Sequence, residues 1–537
     1  MPKQSPSLAA AGITLAPAPG IALSRHLYER IRDAILSGQL RPGLRLPSSR
    51  ALAAELGVSR TTTVTAYERL RDEGYLDGRV GAGTTVALLR IPHPAAAPVH
   101  EPPNVRQPPR LSAQGAALAG VRWRMRHTMD GPGSGPPAFP VGRPAIDAFP
   151  AELWGKVVAR RARRSAGSLL RYQHPAGYQP LREAIAAYVG MARAVRCTPE
   201  QVLVVGGAQA GLSLAARLLL DPGDDAWMED PGYYGARGAI IAAGATPVPV
   251  PVDADGLDID AGNARAPHAR IAYVTPSHQF PLGVTMSLHR RLALLDWART
   301  AGTYVLEDDY DSEYRYIGDP LPSLQGLDGA GRVVYVGSFS KVLFPALRIG
   351  YLIVPDELVD AFTAGQRFAA AHVPVLEQAA LTDFIADGHF ARHVRRMRAL
   401  YAERGAALVR AARQELDGVL SVTPADAGLH VVGWLPEDID DREAAFRAAA
   451  YGVDVQPLSA HAQEPAKRPG LLLGHAATPE PHIVTAIHRL AASLTASAQS
   501  ARGRRAGRGA DGDPQPSYRT MAPVTRSRRS AHFEREA

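Results

Sequence analysis

Between residues 139 and about 497, short apolar runs alternate with stretches of helical periodicity, and that alternation leaves few folds open to the chain. The runs read QVLVVGG, AWMED, TPVPVPV, RIAYVTP, TYVLEDD, RVVYVGS and GYLIVP. Strands separated by helix-length segments build an α/β layer, because each crossover helix lies on a face of the sheet. Upstream, residues 20–88 are compact and periodic. Residues 89–138 contain RIPHPAAAPVHEPPNVRQPPR and DGPGSGPP, a Pro-, Ala- and Gly-rich composition that reads as a semi-stiff linker. Residues 1–19 and the Arg- and Gly-rich stretch 498–537 are expected to be disordered.

A chain of 537 residues exceeds one ordinary domain. No run of eighteen uninterrupted apolar residues occurs, so no membrane span is expected. The N-terminus lacks the apolar core and basic lead of a signal peptide. The one cysteine, Cys197, cannot form an internal disulfide and has no metal-ligating neighbours, so no metal is expected. These features point to the cytoplasm. The net charge of +8 suits nucleic acid as a partner. Much of it lies in the ends, where the basic tail reads as solvated and can add non-specific attraction to DNA.

In SRHLYERIRDAILSGQL, Leu27, Ile31 and Ile35 recur at helical spacing. Pro42, Gly43 and Pro47 end that helix, and Ser48 or Ser49 can cap the next, SRALAAELG, which stops at Gly57. After a short turn comes SRTTTVTAYERLRDEGYL, with Val64, Tyr67 and Leu70 expected to face inward. Two short helices about a Gly-containing turn form a helix-turn-helix. The second opens with Arg60, Thr61, Thr62 and Thr63; arginine can pair with a guanine edge, and threonines can reach phosphates or a thymine methyl. YLDGRVGAGTTVA then reads as a hairpin wing with Arg79 near its tip. The ordered set RPGLRLPSSRALAAELGVSRTTTVTAYERLRDEGYL resembles the winged helix-turn-helix of the GntR regulators. The resemblance implies DNA contacts by Arg50, Arg60, Thr61 and Thr62, with Arg50 on phosphate and Arg60 on a base.

The large domain holds a second signal. The chain has four lysines (Lys3, Lys156, Lys341, Lys467), and arginine supplies the other basic residues. Lys341 stands between apolar runs in VVYVGSFSKVLFPALRIGYLIV, just after Ser338 and Ser340. A lysine amine forms Schiff bases with aldehydes, of which pyridoxal phosphate is the common biological example. Such a site needs a phosphate pocket, and VVGGAQAGL runs from a strand into a helix whose first N–H groups, near Ala208 and Gln209, can cradle an anion. It needs a carboxylate for the pyridine nitrogen and a donor for the ring oxygen; YVLEDDYDSEYRY ends a strand with Asp308 and, two residues on, Tyr310. EDPGYYGAR offers Tyr233 and Tyr234 as ring partners, and Arg348 follows the lysine.

Together RYQHPAGYQPLREAIAAY, GGAQAGL, EDPGY, YVTPSHQFPLG, EDDYDSEYRY and SFSKVLFPALRIGY resemble the fold-type I aminotransferases from about Phe139 to residue 490. The resemblance implies a large α/β domain with a small C-terminal subdomain. It implies pyridoxal 5′-phosphate on Lys341, Asp308 at the pyridine nitrogen and Tyr310 at the ring oxygen. Ser338, Ser340, Arg348, Ala208 and Gln209 would hold the phosphate, Tyr233 would stack on the ring, and Tyr172 would reach the phosphate of a dimer partner. Two positions depart from the family. Phe280 replaces the Asn that meets the ring oxygen, and PGLLLGHAA puts Leu472 where an Arg grips the substrate carboxylate. A leucine cannot form that bidentate pair. Arg237, Arg468 and His475 are the remaining candidates, and efficient transamination is not expected, although a half-reaction stays open.

The whole order of modules, α+β and then α/β, resembles the MocR regulators. The resemblance implies a transcriptional regulator that binds a double-stranded operator. A small amine, an amino acid or the cofactor itself would be sensed at Lys341, in a homodimer that can be domain-swapped, within the cytoplasm and at the nucleoid. The alternative is a working aminotransferase tethered to DNA.

Overall fold

The computed structural model describes residues 22–79, 83–88, 111–121, 137–164, 167, 169–318 and 321–508, leaving aside the side chains of 79 and 496–508. The expected disordered N-terminus, the tip of the wing, most of the linker and the tail after 508 lie outside these residues, as does the Arg79 side chain. The chain divides into two compact units, 1–110 and 111–537.

In the first unit, α1 (Leu23–Leu36) buries Leu27, Tyr28, Ile31, Ala34 and Ile35. The hydroxyl of Ser48 accepts the Ala51 N–H at 3.2 Å and caps α2 (Ser49–Leu56), and Gly57 ends it in the left-handed region at φ 65°. Ser59 caps α3 (Arg60–Asp72) by accepting the Thr62 N–H at 3.1 Å. Strands β1 (Leu76–Arg79) and β2 (Gly83–Val86) form the hairpin, with Leu76 opposite Val86 and Arg79 opposite Gly83. Val64 is only half-buried, contrary to its expected inward position. The buried face of α3 is Thr63, Ala66, Tyr67 and Leu70, which is the i, i+3, i+4, i+7 stripe with a threonine at its head. The Thr63 hydroxyl donates within reach of both Ser49 O (2.9 Å) and Arg60 O (2.8 Å). It ties α3 to α2, so it does not join Thr61 and Thr62 on the outer face.

In the second unit, the expected linker contains a helix, α4 (Ala113–Gly120), capped by Ser112. Then follow α5 (Ala151–Arg164), α6 (Gln179–Arg193), β3 (Val202–Val205), α7 (Ala208–Leu219), β4 (Asp225–Asp230), α8 (Tyr234–Ala242) and β5 (Thr246–Asp253). The remaining strands of the main sheet are β6 (Gly256–Leu257), β7 (Ile271–Val274), β8 (Tyr304–Asp309), β9 (Val333–Ser338) and β10 (Gly350–Ile353). Each of the seven apolar runs read from the sequence is a strand. α4 packs on α8: a Cβ on Gly238 would lie 3.9 Å from Leu118 Cδ1.

The sheet order is β3-β10-β9-β8-β7-β4-β5-β6. Strands β9, β8, β7, β4 and β5 run parallel, and β10 runs against both of its neighbours. The reason is local. A parallel return needs a crossover of a dozen or more residues, usually a helix. The connection 339–349 holds only a 3₁₀ turn at Pro345–Leu347, so the chain doubles back. In β5, Pro247, Pro249 and Pro251 alternate, so their missing N–H groups fall on one edge, away from β4. On that outer edge the Pro251 carbonyl accepts the Asp258 N–H, and the Pro249 carbonyl accepts Arg265 Nη1.

Apolar side chains fill both faces of the sheet: Leu203, Leu212, Leu306 and Leu352 on one, Val204, Ile185, Tyr351 and Ile353 on the other. A four-stranded antiparallel sheet forms the small subdomain, with β11 (Ser421–Val422), β12 (His430–Trp434), β13 (Gln456–Pro457) and β14 (Gly470–Gly474) in the order β11-β12-β14-β13. Helices His389–Glu415 and Glu480–Arg508 pack on it through Leu408, Ile483, Ile487 and Leu490. The last helix runs past residue 497, where the sequence places the domain edge. No helix among the described residues is long and apolar enough to cross a membrane.

Candidate functional site

The parallel strands all end on one side of the sheet, the side where α/β folds carry their sites. β8 ends there with Asp308 and Asp309, β9 with Ser338, and Lys341 follows in the 339–349 connection. Lys341 Nζ donates to the carbonyl of Gly142 at 2.7 Å. Desolvation lowers the pKa of the amine and Arg143 adds to the effect, while Asp311 and Asp308 oppose it. A larger share of neutral amine is what a nucleophilic lysine needs.

Asp308 is 5% exposed, and its Oδ2 accepts the Tyr273 hydroxyl at 2.8 Å. Burial pushes its carboxyl up to about 7, against the pull of that hydrogen bond. The Tyr310 hydroxyl lies 3.0 Å from His278 Nδ1, which is also 3.1 Å from Asp311 Oδ2. On the side where the sequence places the phosphate, Ser338 Oγ accepts the Ser340 N–H at 3.1 Å. Arg348 Nη2 donates to Gly206 O at 2.9 Å. A Cβ on Gly350 would meet the Gly207 carbonyl carbon at 2.8 Å and the Ala208 nitrogen at 2.9 Å, so only glycine lets β10 approach the start of α7 this closely. Ala208 and Gln209 are the first residues of α7, and Gln209 Nε2 donates to Gly235 O. Tyr233 precedes α8, its ring perpendicular to that of Phe280 at 6.0 Å. Tyr172 stands apart, 93% exposed, with His372 as its ring neighbour at 6.1 Å.

Buried atoms of this cluster without a protein partner among the described residues include Asp308 Oδ1 and Ser340 Oγ, together with Asp309 Oδ1 and His278 Nε2. Leaving a buried polar group unsatisfied costs about 1–3 kcal/mol. A pyridinium N–H fits the first and a phosphate oxygen the second. With an amine beside them and a helix N-terminus opposite, the residues present fit pyridoxal phosphate.

Sequence reasoning missed several members of the site. Gly142 gives no side-chain signal. Tyr273 does give one, a phenol inside the buried run RIAYVTP. Arg193 ends α6 and pairs with Asp309 at 2.7 Å, both side chains almost fully buried. His278, His430 and His461, also missed, form a buried group with His475, which the sequence offered only as a substitute for the carboxylate arginine; each is under 5% exposed.

His475 yields a pH prediction. Burial, reinforced by His430, His278 and Arg404, lowers its pKa to about 3. An unfolded histidine titrates near 6.5. The stability from its neutral ring is therefore full above pH ~6.5 and is lost as pH falls toward the folded value. By pH 4 the loss should be on the order of 3 kcal/mol. In His475→Asn, a plot of urea midpoint against pH should be flatter between pH 6.5 and 4 than in the parent. Parallel plots would contradict the assignment.

In the first unit, Arg50, Arg60 and Thr61 are exposed near the N-terminal ends of α2 and α3, clear of the core built by Leu27, Ile31, Leu52 and Leu70. Thr62 is half-buried, and its Oγ1 lies 2.8 Å from Ser59 Oγ, so the cap orients it.

Residues 146–460 match the family described as aminotransferase class I and II, and residues 23–86 match that of bacterial regulatory proteins, gntR family. The chain is 42% identical over 457 residues to the probable rhizopine catabolism regulatory protein MocR of Rhizobium meliloti, spanning 85% of this chain and 90% of that one. It is 32% identical over 459 residues to the HTH-type pyridoxine biosynthesis transcriptional regulator PdxR of Corynebacterium glutamicum, spanning 83% and 90%. Among solved structures, the α-aminoadipate aminotransferase LysN of Thermus thermophilus, complexed with N-(5'-phosphopyridoxyl)-L-leucine, superposes with a TM-score of 0.62 at 30% identity, covering 67% of this chain and 92% of that one. With a GntR-type winged helix and an aminotransferase-class fold in one polypeptide, the chain belongs to the MocR-type regulators, DNA-binding transcriptional regulators whose cofactor is pyridoxal 5′-phosphate.

Proposed function

We propose that this regulator senses a small amine or amino acid at Lys341 and passes the state of that site to its winged helix. The observation that carries the reading is the Lys341 amine, held by the Gly142 carbonyl beside a buried carboxyl, Asp308, whose Oδ1 has no donor among the described residues. When bound, pyridoxal phosphate supplies an aldehyde that amines can capture and a ring that withdraws electrons. Asp308 would hold the ring N–H, and Tyr310, oriented by His278, would donate to the ring oxygen. Ser338, Ser340, Arg348 and the first N–H groups of α7 would hold the phosphate, and Tyr233 would cover the ring. Lys341 and an incoming amine compete for one position, so the ligand changes what Lys341 touches.

Occupancy by the cofactor itself is the other candidate signal, which suits the pyridoxine-biosynthesis name of the Corynebacterium relative. The exposure of Tyr172 and Arg348 supports a head-to-tail homodimer in which Tyr172 reaches the partner's phosphate site. An operator of double-stranded DNA in the cytoplasm, at the nucleoid, completes the reading.

The test is a titration of amines and amino acids into the full-length holoprotein, followed by cofactor absorbance and by operator binding. A ligand that shifts both over the same concentration range supports sensing; a spectral shift with unchanged operator affinity overturns it. On the DNA side, Arg60→Ala should weaken operator binding by about 1–3 kcal/mol and relax one base preference. Unchanged discrimination between operator and scrambled duplex would remove Arg60 from base readout. The tethered-aminotransferase reading draws on the intact Lys341, Asp308 and Tyr310. Rapid single-turnover conversion of the cofactor to its amine form with several amino acids would favour it.

A further inference from the structure

The position where this fold class keeps an arginine for the substrate carboxylate is occupied by Leu472, at the centre of β14. Leu472 is fully buried, opposite Val432 on β12 and Gln456 on β13. It packs with Val432 and Leu458, and Val141, Phe280 and Leu282 lean on the same cluster. Val141 immediately precedes Gly142, whose carbonyl holds Lys341 Nζ. The apolar cluster therefore reaches to within one residue of the lysine's anchor.

The arginines and histidines weighed from the sequence do not restore the missing charge, and a further cation, Arg143, stands half-buried next to Gly142 on the lysine's side. Arg468 is exposed and lies over the Trp434 ring at 5.3 Å. Arg237 is set against Asp230. Arg348 is turned to Gly206 on the phosphate side. His475 lies beside Tyr316, and His430 Nε2 donates to the Pro281 carbonyl; burial keeps both rings neutral, with pKa values of about 3 and about 4. A carboxylate placed against Leu472 would lose water and gain no ion pair from Arg468, Arg237, Arg348 or the two histidines.

The same wall offers uncharged hydrogen-bonding atoms. Phe280 bridges from Tyr233 and Tyr310 to His461, whose ring is 5.0 Å away and perpendicular. His461 Nε2 lies 3.1 Å from Gln456 Oε1, while its Nδ1 is buried without a partner among the described residues. Gln463, two residues on and anchored by its backbone N–H to Asp230 Oδ1, also has a buried Nε2 without a partner among the described residues. Such groups pair with hydroxyls, and they discriminate strongly against a ligand that leaves them unpaired.

We propose that the ligand read at Lys341 is a hydroxylated primary amine with no carboxylate beside its amine, its hydroxyls facing His461 and Gln463 and its carbon frame against Leu472 and Phe280. This rests on the amine-sensing reading above and narrows it.

Three matched probes test it on the full-length holoprotein by cofactor absorbance: 2-amino-1,3-propanediol, L-serine and isopropylamine. The diol differs from serine only in carrying CH₂OH for the carboxylate, and isopropylamine lacks the hydroxyls. The diol should half-saturate at a concentration at least about tenfold below that of either other probe, the worth of one lost pairing. Leu472→Arg should reverse the order of diol and serine. The order in the unmodified protein decides the matter whether or not that variant folds. Serine acting at or below the diol's concentration overturns the proposal and leaves amine sensing standing. So does a serine response that disappears in Arg143→Gln, which would place the acid on the cation beside Gly142. No response to any amine overturns the sensing reading, and this inference with it.

Discussion

Lys341→Ala should leave the protein unable to retain pyridoxal phosphate covalently. Borohydride should fix no pyridoxyl group to the chain, and amine ligands should no longer alter operator binding. The expectation follows from the site's composition. Asp308, Ser340, Arg348 and the start of α7, in their proposed roles, would still hold ring and phosphate reversibly, so weak binding should persist, but no other amine among the described residues lies at Gly142 O. Lys341→Arg should fail in the same way. A guanidinium stays protonated and cannot attack an aldehyde, so charge and length alone are insufficient. Neither change touches α2 or α3, and duplex binding without ligand should persist. Covalent retention by either variant would move the attachment point elsewhere and undo the account of the site.

Arg193→Met should be the most destabilising single change in the large unit outside its apolar core. Arg193 donates from Nε to Asp309 Oδ2 at 2.7 Å, from Nη1 to Leu321 O at 2.7 Å, and from Nη2 to Ser277. Asp309 keeps one other donor, the Tyr335 hydroxyl at 2.6 Å. Removing the arginine strands a buried carboxylate, and breaking a buried pair in this way costs about 3–5 kcal/mol. Asp309→Asn in the same background removes the stranded charge, so the double variant should recover much of the loss. Additive losses in the urea midpoints would show that the two residues do not act as a pair. Asp309 follows Asp308 on β8, so the single variant should also weaken cofactor binding.

The winged helix and the strands of the large domain were legible because their signals are local. Ser48 and Gly57 punctuate α2, and the apolar runs stand between Gly, Pro and charged residues. The elements that were not legible depend on distant partners. Thr63 reads as a surface threonine until the backbone of Ser49 is placed beneath it. α4 was hidden by the composition of 89–138, although Ser112 caps it and α8 receives it. Of the residues proposed to hold the cofactor, motif resemblance indicated Lys341, Asp308 and Arg348. Gly142, Tyr273 and Arg193 contribute through a carbonyl, a cross-strand hydroxyl and a buried ion pair, none of which has a signature in its own segment. Leu472 stood out only against the family's arginine, and its apolar surroundings are what give that difference chemical meaning.

The reversed strand β10 limits how this protein can diverge. Leu352 faces one core while Tyr351 and Ile353 face the other, so a shift of one position would exchange them. An extra residue in 339–349 that is not absorbed at the exposed Pro345–Ala346 turn either displaces Lys341 from the Gly142 carbonyl or forces that exchange. Descendants of this chain can vary the segment between the lysine and the strand most freely at that turn, while its two ends are held, one by the lysine's anchor and the other by the two faces of the strand.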